Sequence, residues 1–141
     1  MAKRTSAKAS SEASRLKAAN TAYYKALSAR NMRAMEKVWS CARDNILIAP
    51  PTNPVTHVGW KAIKRNWEDY WPSFSRFRVS MTVTALSING PVGWVHGIAT
   101  SRRRSKSGEV TSSRNFGTNI FVNDDGKWRM AFHQSTVIPK K

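Results

Sequence analysis

The chain has 141 residues and six tryptophans, enough for one domain with a sizeable core, and no second domain is expected. Lys and Arg number 24 against eight Asp and Glu, and the formal charge of +16 raises nucleic acid, anionic lipid or an acidic ligand as partners while saying nothing about fold. A single cysteine, Cys41, excludes an internal disulfide; the acids are scattered and no glycine-rich phosphate loop is present, so neither a metal nor a cofactor is expected.

Residues 1–10 are Lys, Arg, Ser and Ala with little to bury, and read as a disordered basic tail ahead of one domain over 11–138, with a short tail at 139–141. Ser10 or Ser11 is placed to cap a helix that has Glu12 in its first turn. Leu16, Ala19, Tyr23, Ala26 and Leu27 then recur at helical spacing to about Ala29. After Arg30-Asn31, the residues Met32, Met35, Val38 and Trp39 give a short second helix, with Cys41 as a small packing residue near its end. Asn45–Ala49 reads as a short buried strand, closed by Pro50-Pro51. Gly59 precedes a third helix, with Trp60, Ile63, Trp67, Tyr70 and Trp71 on one face, and Pro72 stops it.

From Phe74 onward the period is two. Phe77, Val79, Met81 and Val83 alternate with polar residues, and a switch of parity at Thr84-Ala85 predicts a bulge. Asn89-Gly90-Pro91 turns the chain into a strand with Trp94, His96 and Ile98 on one face, and Ser101–Gly108 is a basic hairpin tip. Two further apolar runs flank Asn123-Asp124-Asp125-Gly126, a strong hairpin signal. Both faces of this last hairpin carry large side chains, which predicts helices on one face and a second subunit on the other. Three helices followed by an antiparallel meander give an α+β chain, its curved sheet wrapped around the helices.

At this point the residues resemble a known family. Tyr23–Leu27, Asn31–Met35 and Val38-Trp39 look like the first two helices of SnoaL-like proteins, which belong to the nuclear transport factor two/ketosteroid isomerase superfamily. Val58–Ile63 is similar to the Gly-x-x-x-Ile start of that family's third helix, and Thr118–Phe121 and Gly126–Ser135 are similar to its last two strands. The resemblance covers about Leu16 to Val137 and implies a cone-shaped fold with a deep pocket, dimerised through the sheet. It implies no single activity, because the superfamily includes isomerases, cyclases, dehydratases, scaffold subunits and binding domains.

By that resemblance Tyr23 matches the isomerase tyrosine, but the carboxylate base falls at Pro50 and the oxyanion acid at Thr118. Proline abstracts no proton, so the isomerase mechanism is not carried over and turnover is left open. His133 is the remaining candidate base, pointing into the cone, with Tyr23 as hydrogen-bond donor. The pocket lining is expected from Trp39, Trp60, Trp67, His96, Arg114, Phe116, Thr118 and Ser135. For the tryptophans core packing is the simpler role, and His57 reads as a loop histidine.

The expected function is binding of a small, largely apolar ligand. The alternatives are an isomerase-, cyclase- or dehydratase-type enzyme using His133 and Tyr23, or weak, non-specific nucleic-acid binding by the tail, Arg102–Lys106 and Lys140-Lys141. No apolar run approaches the roughly 20 residues of a membrane span, and the basic N-terminus lacks a secretory apolar segment, so a cytoplasmic homodimer away from membranes is expected.

Overall fold

A computed structural model describes residues 2–40, 44–48 and 55–140. Helix α1 spans Ala2–Ala29 and α2 spans Met32–Val38. Strands β1 (Ile46–Ile48) and β2 (Thr56–Val58) precede α3 (Trp60–Tyr70), which tightens into a 3-10 turn at Trp71–Ser73. Four long strands follow: β3 (Phe74–Asn89), β4 (Val92–Ser105), β5 (Val110–Asp124) and β6 (Lys127–Val137). The fold is α+β, an open, curved sheet with its helices on one face.

Two expectations at the N-terminal side are corrected. The helix begins at Ala2, so residues expected to be a disordered tail continue α1 through Ser10 and Ser11. Ala, Lys, Arg and Glu are strong helix formers, and propensity extends a helix that is anchored further along its length. Anchoring comes from Leu16, Tyr23, Tyr24 and Leu27, all buried. A hydrogen bond of 3.1 Å from Trp128 Nε1 to the Glu12 carboxylate adds to it. The second correction is β2, a strand at residues expected to lie in a loop. It pairs antiparallel with β1, and β1 pairs parallel with β6, so the sheet is mixed in the order β2-β1-β6-β5-β4-β3.

Helix α1 ends in a Schellman motif. Arg30 takes φ 51°, Asn31 N–H donates to Ala26 C=O at 3.0 Å, and Arg30 N–H donates to Leu27 C=O at 3.2 Å. The Arg30 guanidinium reaches the carbonyls of Phe74 and Ser75, fixing the helix end to the start of β3. Asn31 then caps α2 by accepting from Ala34 N–H. The predicted hairpin forms with Asp125 and Gly126 at its tip, both at positive φ, as a tight two-residue turn requires. The predicted bulge falls between Val83 and Ala85.

The core lies between the helices and one face of the sheet. Met35, Trp39, Ile63 and Trp67 meet Val79, Val95, Phe121, Trp128 and Met130 there. Burying a large apolar side chain stabilises by about 1.5–3 kcal/mol. Among the described residues no helix covers the opposite sheet face, and Trp94 and Phe116 are exposed on it. No helix among the described residues is long and apolar enough to cross a membrane.

Candidate functional site

Facing in the last two strands decides which side chains meet. On β5 the buried residues are Asn115, Gly117, Asn119 and Phe121, so Arg114, Phe116, Thr118 and Ile120 point the other way. On β6 the pairing skips a residue: Ile120 is opposite Phe132 but Phe121 is opposite Met130. Ala131 is the extra residue, and this bulge puts Trp128, Met130 and His133 on one buried face.

His133 therefore does face the helices, and Tyr23 lies beside it. Their ring centroids are 5.0 Å apart. Trp39 meets the Tyr23 ring edge-on at 6.3 Å, and Tyr24 meets it at 4.9 Å. Tyr23 and Trp39 are fully buried, and His133 nearly so. Burial lowers the His133 imidazole to about 4, raises the Tyr23 phenol well above its ordinary value, and raises Tyr24 to about 12 against the opposing pull of its Asn119 bond. The imidazole is thus neutral at neutral pH and a weaker base than a solvated histidine.

A hydrogen-bonded chain fixes its tautomer. Asn119 Nδ2 donates to Asn20 Oδ1 at 2.8 Å and to the Tyr24 hydroxyl at 3.1 Å, while Asn20 Nδ2 donates to Met81 Sδ at 3.6 Å. Asn119 Oδ1 is left to accept from His133 Nδ1 at 2.5 Å. His133 accordingly carries its proton on Nδ1 and its lone pair on Nε2. The Tyr23 hydroxyl, buried beside it, has no hydrogen-bond partner among the described residues, and the same holds for Trp67 Nε1 and Trp71 Nε1.

The other expected lining residues divide. Trp67 is buried against Trp71, with ring centroids 5.9 Å apart, and Trp60 is half-buried against the core. Ser135 shares the inner face and accepts from Asn115 Nδ2 at 2.7 Å. His96, Arg114, Phe116 and Thr118 are not in the cone. His96 bonds Thr118 at 2.9 Å and stacks on Phe116 at 5.9 Å, all on the outer face, and exposed Arg114 is on that face too. The resemblance places the oxyanion acid at Thr118, whereas the strand's alternation turns Asn119 to the inner face.

His57 is half-buried in β2 rather than in a loop, and residue 47 pairs with both His57 and His133, so one strand, β1, separates the histidines. Pro50 and Cys41 lie outside the described residues. No group of three or more His, Cys, Asp or Glu is placed to hold a metal among the described residues. Asn20, Tyr24 and Asn119 are the polar members that the sequence reading missed. A signal existed: Asn20 interrupts the apolar face of α1 four residues from both Leu16 and Tyr24.

Comparison with known proteins follows the same outline. The model of the SnoaL-like domain matches residues 16–139. A nuclear transport factor 2-like superfamily protein from Salmonella enterica superposes with a TM-score of 0.84 at 12% identity, covering 94% of this chain and 95% of that one. A ketosteroid isomerase-like protein from Erwinia carotovora superposes at 0.78 with 16% identity, covering 92% and 98%. The CaMKII hub of S. rosetta superposes at 0.75 with 15% identity, covering 89% and 96%. No curated protein sequence matches the chain.

Proposed function

The chain belongs to the family of SnoaL-like domains, and from that premise we propose that its cone binds a small, largely apolar molecule bearing an acceptor oxygen. One observation carries the reading: the Tyr23 hydroxyl is buried without a partner among the described residues, beside a neutral imidazole and the Trp39 ring. An unsatisfied buried hydroxyl costs about 1–3 kcal/mol, and a ligand oxygen would relieve it. Trp39 and Tyr23 supply the apolar wall, and His133 Nε2 accepts a hydrogen bond from the ligand or from a water beside it. With its imidazole held at about 4, His133 serves as a polar anchor rather than as a base. The protein acts as a cytoplasmic homodimer, its partner copy covering the outer sheet face.

The test uses apolar cyclic ketones and their parent hydrocarbons as thermal-shift and calorimetric probes. Wild type is expected to bind ketones more tightly than hydrocarbons. Tyr23→Phe should lose roughly fivefold for the ketone only, about one hydrogen bond, while its unliganded form is at least as stable as wild type. Equal ketone affinity in both proteins, or no binding of any probe, overturns the reading.

A further inference from the structure

Along the inner face of the sheet, burial falls away from the cone toward the turn between β4 and β5. Asn119 is fully buried, Asn115 nearly so, Ser113 is half-buried and Thr111 is exposed. The register sets Ser101 opposite Ser113 and Arg103 opposite Thr111, so Arg103 stands where the inner face opens to solvent. Strand alternation singles it out. Arg102 and Arg104 are exposed on the outer face, while Arg103 is half-buried and pairs with Phe77, which shares the inner face with Val79. Arg76, Arg78 and Arg114 have outer parity as well, so of the arginines on β3, β4 and β5 only Arg103 faces inward.

Two contacts hold its guanidinium. Nη1 donates to the Tyr70 hydroxyl at 3.0 Å, and Cζ lies 5.9 Å from the centre of the Phe74 ring. A guanidinium carries five N–H donors, and among the described residues this one makes a single hydrogen bond and no ion pair. Glu109, the acid nearest to it in sequence, is exposed in the turn. Tyr70 accepts from Arg103, which leaves its own O–H free to donate. Ser101 and Ser113 share one hydrogen bond of 2.8 Å, so one of their two protons is uncommitted too. Every free group here is a donor, and a half-buried cation surrounded by donors selects an anion. Its neighbours select an organic one. Tyr70, Phe74 and Phe77 form one aromatic group with ring centroids 5.0–6.3 Å apart, and Tyr70 continues it inward to Trp67 at 6.3 Å.

Resting on the reading of the cone as a ligand site, we propose that the ligand is an organic acid: Arg103 and the Tyr70 hydroxyl hold its carboxylate where the inner face opens, and its apolar body runs inward toward Tyr23. The planar guanidinium presents parallel N–H groups that match the two oxygens of one carboxylate. Eight residues of β5 separate Thr111, opposite Arg103, from Asn119, so the path is at most about 27 Å at roughly 3.4 Å per residue. Curvature of the sheet shortens it. An acid too short for this path reaches one end without the other, so chain length is part of the recognition.

Calorimetry with cyclic ketones bearing a carboxyalkyl chain of graded length, each compared with its methyl ester, tests this. At the best length the acid should bind wild type roughly tenfold more tightly than its ester. Arg103→Gln should abolish that preference and leave the ester's affinity unchanged. Arg103→Lys keeps the charge and the aliphatic stem beside Phe74 but loses the planar fork, and should keep part of the preference. Arg102→Gln removes the same charge one residue away on the outer face, and the preference should survive it. Esters that bind while acids gain nothing at any length would overturn the carboxylate seat and leave the cone as a ligand site. Equal losses in Arg102→Gln and Arg103→Gln would show diffuse attraction by net charge and overturn the seat as well. No binding of any acid or ester would overturn both readings.

Discussion

Burial of an imidazole against an asparagine oxygen ties stability to pH. In the unfolded chain His133 titrates near 6.5, and in the folded chain near 4. Above 6.5 both states are neutral and the site is indifferent to pH. Between 6.5 and 4 the unfolded chain takes up a proton that the folded chain refuses, so stability falls as pH falls. At about 1.36 kcal/mol per unit the loss reaches about 3 kcal/mol below pH 4. Denaturant melts of wild type and His133→Gln, taken at several pH values, isolate this, because carboxylates contribute equally to both. The wild-type curve should drop faster between pH 6.5 and 4, and parallel curves would exclude the buried neutral histidine. At this scale the sequence was partly legible. His133 and Tyr23 stood out by type and position, and they do meet. The amides that orient them did not, because an asparagine on an apolar helix face reads as a flaw in the pattern until its partner is seen across 99 residues.

Among the elements, β3 and β4 show how a side chain that is missing can fix a geometry. A Cβ added to Gly97 would sit 2.2 Å from the carbonyl oxygen of Thr82, beside the bulge between Val83 and Ala85. Backbone cannot step aside there, so Gly97→Ala should cost about 3 kcal/mol, read as a lowered denaturation midpoint with unchanged slope. Gly117→Ala makes a useful contrast. Its Cβ would meet the flexible end of Met81 at 2.7 Å and the Tyr24 hydroxyl at 3.2 Å, and the loss should be nearer 1 kcal/mol. Equal losses would mean that the strand pair yields where the register says it is held. The Val83–Ala85 bulge was legible because apolar residues change parity across it. The β6 bulge at Ala131 was not: Met130, Ala131 and Phe132 are all apolar, so the slip leaves no trace in the pattern. β2 was missed because three residues after a proline-rich stretch show no period.

For the molecule as a whole, the two sheet faces have different fates. One is sealed by helices. The other exposes Trp94, Phe116 and Val92, with Ile98, Ile120 and Phe132 half-buried beside them. A second copy placed there gives a particle of twice 15.9 kDa, which light scattering at tens of micromolar should register, and Phe116→Arg should return the monomer. A monomeric wild type would reject that arrangement. The order of the elements also has a consequence for how the chain is made. Every helix precedes the long strands, so Leu16, Tyr23, Trp39 and Trp67 are synthesised before the surface that buries them exists. The four-strand meander closes through short local turns, but β1 must find β6 across 86 residues, from Ile46 to Phe132. Loop-closure entropy makes that pairing late. A nascent chain therefore carries an uncovered aromatic stripe for most of its synthesis, and its yield in the cell depends on what shields that stripe until β6 emerges.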